Sequence, residues 1–153
     1  MNSGPGDGAQ SPSACLFEIA GRVFAIRITE AKEVRAFDEY TMVPLAPAQL
    51  IGMTNLRGAI VPIVDLRVML DLPPRPSARA LESLVVAARG ARVALAIDRM
   101  LGIEPLVDGL AGDVRVETGG LACGSLARGD DTVPILDVVK IVDSLTTRTQ
   151  EAM

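Results

Sequence analysis

The stretch Gly52–Arg67, GMTNLRGAIVPIVDLR, decides how the chain reads. Its centre, Asn55-Leu56-Arg57-Gly58, carries turn chemistry between an apolar approach and an apolar strand, since asparagine bonds nearby backbone and glycine accepts positive φ. Gly58–Val64 runs as a strand broken by Pro62, a residue that belongs at a sheet edge or strand start because it has no N–H to give. Asp65 ends the strand before LRVML, where its carboxylate caps a short helix by accepting free first-turn N–H groups, typically worth ~1 kcal/mol. Extended to Leu70, the stretch has an ungapped echo at an offset of 72 residues. GMTNLRGAIVPIVDLRVML from Gly52 lies over GSLARGDDTVPILDVVKIV from Gly124, with Gly, Val, Pro, Ile and Asp coinciding, and Asp137 stands where Asp65 stood.

A second echo pairs Phe24, Ile26, Ile28 and Val34 with Val93, Leu95, Ile97 and Ile103 at an offset of 69. Two echoes in the same order predict two similar β lobes of about 70 residues each. Between them the chain reads as short strands and turns. Cys15–Ile28 alternates as a hairpin around Ala20-Gly21. Leu84–Ala88 and Val93–Ile97 are five-residue apolar runs, too short for helices, around Arg89-Gly90-Ala91. Thr132–Leu136 repeats the proline-broken strand. The whole is an all-β fold, barrel or sandwich. Lobe one is expected over about 15–71, lobe two over about 84–145, and LPPRPSARALES (72–83) as the loop between them. Residues 1–14, made of Gly, Ser and Pro without an apolar core, read as a disordered tail and not a signal peptide. Val138–Leu145 reads as a short helix, with 146–153 frayed.

Composition excludes whole classes of chemistry. The 153 residues include no histidine, which removes Ser/His/Asp and Cys/His catalysis, His-ligated zinc and a phosphohistidine carried on this chain. Two cysteines, Cys15 and Cys123, cannot build a four-cysteine zinc site, and their lack of pattern fits a reducing cytoplasm. A formal charge of −4 argues against nucleic acid as a partner. The longest uncharged stretch, Tyr40–Leu56, holds Pro44, Pro47, Gln49 and Asn55 and makes a poor membrane span. Phosphate loops, nucleophile elbows and dinucleotide fingerprints are missing from the sequence. Asp130 and Asp131 sit in a Gly-rich turn and read as a solvated hairpin tip, and Cys123 as a small buried residue. Arg57 is either a solvated turn charge or a contact for a partner.

The block Gly52–Arg67 also resembles the signature of the CheW coupling proteins of bacterial chemotaxis. Its flanks agree: FEIAGRVFAIRITEAKEV, VVAARGARVALAIDRMLGI and GSLARGDDTVPILDVVKIV, so that the likeness covers about residues 15–145. The resemblance implies two small five-stranded SH3-like β-barrels packed together, with short helices at the lobe ends. It implies a non-catalytic adaptor without a cofactor or metal. Such an adaptor couples a CheA-type histidine kinase, through its regulatory domain, to the cytoplasmic tips of methyl-accepting chemoreceptors, in the cytoplasm and at membrane-associated receptor arrays.

Carried over by position, Asn55, Leu56, Arg57 and Gly58 fall on the receptor-facing turn. Met100, Leu101 and Ile103, just past Ile97-Asp98, are candidates either for the apolar side of the groove that takes the receptor's helical hairpin or for plain core. Glu33 and Val34 in EAKEV fall where the family meets the kinase, and Phe37 and Tyr40 add aromatic contact there or serve as core. The glycine-rich VETGGLACGS (116–125) departs from the longer proline-containing segment of many relatives. Two readings stand beside this one. The first is a CheW-like adaptor of another chemosensory system, such as one driving pilus-based motility. The second is a small β-barrel ligand carrier or enzyme working through Asp65, Asp98 and Asp137.

Overall fold

Three tight turns set the register of the strands. Ala20-Gly21, Arg57-Gly58 and Arg89-Gly90 all hold positive φ at both residues, the two-residue geometry whose twist matches flanking strands. They join β1 (Ser13–Ile19) to β2 (Arg22–Arg27), β4 (Leu50–Leu56) to β5 (Ala59–Asp65), and β6 (Leu81–Ala88) to β7 (Ala91–Ala96). The remaining elements are β3 (Ala31–Phe37) after a 3-10 turn at Ile28–Glu30, α1 (Leu66–Met69), β8 (Arg99–Pro105), β9 (Ala122–Arg128), β10 (Asp131–Leu136) and α2 (Val138–Glu151). The computed structural model describes residues 13–75, 81–106 and 118–151. Most of the expected tail 1–14, the middle of the 72–83 loop, the first two residues of the 116–125 run and the last two of the chain lie outside the described residues. Ser13 and Ala14 open β1, and α2 continues past Leu145 to Glu151.

The strands form two five-stranded sheets. Sheet I has the order β8-β1-β2-β10-β9 and sheet II the order β3-β6-β7-β5-β4. The offsets relate the sheets strand for strand: β1, β2 and β3 correspond to β6, β7 and β8, and β4, β5 and α1 to β9, β10 and α2. Neither sheet is built from one repeat alone. The β1–β2 hairpin of the first repeat joins β8, β9 and β10 of the second, and the β6–β7 hairpin of the second joins β3, β4 and β5 of the first. The consecutive halves expected at 15–71 and 84–145 therefore exchange their hairpins. Each hairpin meets the other repeat on two sides: antiparallel on one, β1 against β8 and β6 against β3, while on the other the join is parallel, β10 against β2 and β5 against β7.

Proline placement follows from that join. Pro62 and Pro134 lie in interior strands, not at the expected edges. Each pairs across the antiparallel side, with Met53 and Ser125 respectively. The parallel ladder begins only one residue later, at Ile63↔Ala94 and Ile135↔Ala25, so neither ring removes a parallel rung.

Period-two alternation divides the apolar residues among three cores. Phe17, Phe24, Ile26, Leu84, Val86, Val93 and Leu95 fill the space between the sheets, joined there by Leu66 of α1 and Val138, Ile141 and Val142 of α2. Their strand neighbours point the other way. Val85, Ala94 and Ile63 pack with Phe37 and Leu56 inside the curl of sheet II, and Leu16, Ala25 and Ile135 with Leu126 inside that of sheet I. Burial on both faces is why runs such as LVVAA read as continuously apolar. Among the described residues, no helix is long and apolar enough to cross a membrane.

Candidate functional site

The β4–β5 tip is built by its own sequence. Asn55 Oδ1 accepts the Gly58 N–H at 2.9 Å and closes the turn, while Leu56 is buried in the sheet II core. Arg57 takes φ +51°, and its side chain stands largely in solvent. Sheet II curls far enough that this arginine reaches Glu33 on β3, the opposite edge of the strand order. Nη1 donates to Oε2 and Nη2 to Oε1, each at 2.8 Å. A second fastening lies nearby, where Thr41 and Met53 exchange backbone hydrogen bonds of 2.8 Å in both directions. The residue expected to face a receptor and one expected to face a kinase are thus one ion pair. Exposed pairs of this kind contribute about 0–1 kcal/mol, so its interest lies in where it holds two charges rather than in stability.

The other candidates separate. On β3, Glu33, Arg35 and Phe37 share one face and Val34 the other, as strand alternation requires. Phe37 is core, with the Arg35 guanidinium 5.9 Å from its ring centroid, so the aromatic contact expected of it is not on the surface. Tyr40 is partly exposed, and Gly52 lies against its ring. Met100 packs against the inter-sheet core and Leu101 against the core of sheet I. Both are half-buried, between the groove and core readings, and Ile103, 62% exposed on the edge strand β8, is the most exposed of the three.

Unanticipated apolar surface lies beside the β4–β5 hairpin. Met42 is 75% exposed, Leu45 95% and Ile60 63%, with Val43 also exposed. Met42, Val43 and Leu45 sit on the loop that Thr41 ties to the outer edge of β4, and Ile60 on β5, the strand on the other side of β4. Leu45 also holds φ +62°, a conformation costly for a side chain that buries nothing. The loop segment TMVPLAP has no periodicity, so no strand or helix signal marked it.

A cleft of about 490 Å³ opens where β5 and β7 splay ahead of their parallel ladder; Ala59, Ile60, Val93, Val142 and Leu145 line it. The repeat places a smaller counterpart of about 270 Å³ between β10 and β2, lined by Arg22, Arg128, Asp131 and Thr132 among others.

The carboxylates offered for catalysis are otherwise engaged. Asp65 Oδ1 accepts the Arg67 N–H at 3.0 Å, and Asp137 Oδ1 accepts the N–H groups of Val139 and Lys140 at 3.0 and 3.4 Å, the capping role expected of both. Asp98 is ion-paired with Arg67. None of the three lines either cleft. Cys123 is half-buried, with Arg27 Nη1 at 3.2 Å from its sulfur, and burial pushes the Cys15 thiol up from its ordinary range.

Two curled five-stranded sheets, related by an internal repeat and exchanging their hairpins, define a module of the all-β class. The CheW-like domain model matches residues 13–146, and the chain belongs to that family. It is 34% identical over 93 residues to the probable chemotaxis protein CheW of Rhizobium etli, covering 60% of this chain and 59% of that one. With the chemotaxis protein CheW of Bacillus subtilis it shares 30% identity over 83 residues, 54% of this chain and 53% of the relative. The chain thus spans between about half and three fifths of these curated relatives. The crystal structure of scaffolding protein TtCheW from Thermoanaerobacter tengcongensis superposes with a TM-score of 0.75, covering 84% of this chain and 90% of that one at 21% identity, a likeness of fold.

Proposed function

We propose that the chain is a non-catalytic adaptor that couples a CheA-type histidine kinase to the cytoplasmic tips of chemoreceptors in chemotaxis signalling, working in the cytoplasm at receptor arrays. The observation that carries this reading is the Arg57–Glu33 pair at the tip of sheet II, flanked by exposed apolar side chains on the β4–β5 hairpin, Ile60, and on the loop tied to it, Met42 and Leu45. Large exposed apolar side chains grouped in this way mark protein-binding surface. The reading assigns Arg57 and the turn residues Asn55 and Gly58, together with Ile103, to receptor contact. Glu33, Val34 and Tyr40 go to kinase contact, extended by Met42, Val43 and Leu45. Leu56 and Phe37 support these surfaces from within, and the half-buried Met100 and Leu101 join Ile103 on the receptor side. Chemistry belongs to the partners, since the carboxylates Asp65, Asp98 and Asp137 are spent on structure.

Arg57→Glu tests the assignment. It replaces an attractive pair by two carboxylates at a solvent-exposed tip and costs stability by about 1 kcal/mol or less, read as a small fall in melting temperature. Co-sedimentation of the folded variant with receptor-containing membranes is expected to be lost. Unchanged co-sedimentation would remove Arg57 from the receptor surface.

A further inference from the structure

The contact between the sheets is almost wholly aliphatic: among the described residues 18 are buried in it, and of these only Phe17 and Phe24 are aromatic. Apolar contact is non-directional, and aliphatic cores tolerate repacking, so this slab alone does not select one angle between sheets. At its rim lies a group with strict geometry. Arg67, on α1 directly after β5 of sheet II, is 8% exposed. Its Nη1 donates to the carbonyls of Pro73 and Pro74 at 2.8 and 3.3 Å, and its Nη2 to both Asp98 oxygens at 3.1 Å. Asp98 occupies the crossover from β7 of sheet II to β8 of sheet I. Its Oδ2 accepts the Ala20 N–H in the β1–β2 turn at 2.8 Å, and its own N–H donates to the Glu18 carbonyl at 2.9 Å. One planar guanidinium therefore joins the end of sheet II, the connection between the repeats, the crossover and, through Asp98, the hairpin of sheet I.

The repeat supplies an internal comparison. The offsets of 72 and 69 place Val139 and Thr29 at the positions equivalent to Arg67 and Asp98, and these two cannot form an ion pair. The clamp exists at one of two equivalent junctions, so it is not a by-product of duplicated sequence. We infer that Arg67 is a positioning residue that sets the angle between the two sheets. A guanidinium suits the task because its donors lie in a rigid plane matched to a carboxylate, whereas a lysine offers a rotatable point charge. Resting on the adaptor reading, the consequence is that Arg67 sets the spacing between Ile103 on sheet I and the Arg57–Glu33 surface on sheet II. It would then govern joint, not separate, binding of two partners.

Residual dipolar couplings of the backbone amides test the geometric claim on the free protein, so its failure is distinguishable from failure of the adaptor reading. In the native chain one alignment tensor should fit both sheets. In the paired replacement Arg67→Met with Asp98→Leu, which keeps the site filled and neutral, each sheet should still fit by itself while the joint fit fails. A folded variant whose two sheets share one tensor as in the native chain would overturn the inference. Where a thermal melt shows the paired replacement unfolded, Arg67→Lys decides. It keeps the charge and loses the fork, so a degraded joint fit supports the inference and an unchanged one overturns it.

Discussion

Glu30 sits where its surroundings disfavour its charge. Its Oε1 is buried without a hydrogen-bond partner, and burial raises its pKa above the ordinary glutamate range, with the Asp137 carboxylate adding to the shift and Arg27 opposing it. A carboxyl with a raised folded-state pKa holds its proton more tightly in the folded chain than in the unfolded one. Its contribution to stability is present below the ordinary glutamate pKa and is lost as pH rises through the folded-state value. Glu30→Gln, a neutral mimic of the protonated acid, should therefore melt higher than the native chain at pH 7, and the difference should vanish near pH 3; thermal melts across that range check it. Gly52 makes the opposite case, of space rather than charge. A Cβ there would lie 2.7 Å from the Thr41 carbonyl oxygen and 2.8 Å from a Tyr40 ring carbon. Gly52→Ala should cost about 1–3 kcal/mol, read as a melting point several degrees lower, and should loosen the amide exchange protection of Thr41 and Met53. Turn residues such as Asn55 and Gly58 were legible in the sequence because their chemistry is local. The reach of Arg57 to Glu33 was not, because it depends on the curl of a whole sheet.

Among elements, the hairpins could be read directly: three of their turns contain glycine at the second position, and alternation marked the strands on either side. Both capping aspartates were equally readable, since an N-cap involves only the residues that follow it. Proline was placed by rule and misplaced, for the rule concerns ladder partners and Pro62 meets its parallel ladder one residue late. The exposed loop carrying Met42 and Leu45 escaped because surface apolar residues without periodicity look like any turn. α2 does more than end the chain. Val138, Ile141 and Val142 enter the core between the sheets, so Ile141→Ala should destabilise by about 2–5 kcal/mol, measured by urea unfolding. A loss well under 1 kcal/mol would show that the helix decorates the fold without stitching it.

For the whole molecule, the internal repeat was visible as two echoes, but a repeat shows which segments are alike and not which ones pair. Exchange of the β1–β2 and β6–β7 hairpins between sheets leaves no local trace, because equivalent strands fit equivalent places in either sheet. The exchange makes the two sheets mutually dependent, each completed by the other repeat. It also gives the chain one shared inter-sheet core with a different surface on each sheet: Ile103 on sheet I, and the Arg57–Glu33 pair with the exposed loop on sheet II. An adaptor has use for such a body, since what it contributes is the distance between partners.

The central claim is that this chain joins kinase to receptor. It is tested by sedimenting receptor-containing membranes with purified CheA-type kinase while the concentration of this chain is raised. Kinase in the pellet should rise with the chain and saturate, and should stay at background when Arg57→Glu replaces the native protein. Kinase that pellets equally without the chain, or that remains in the supernatant at every concentration of it, would contradict the account.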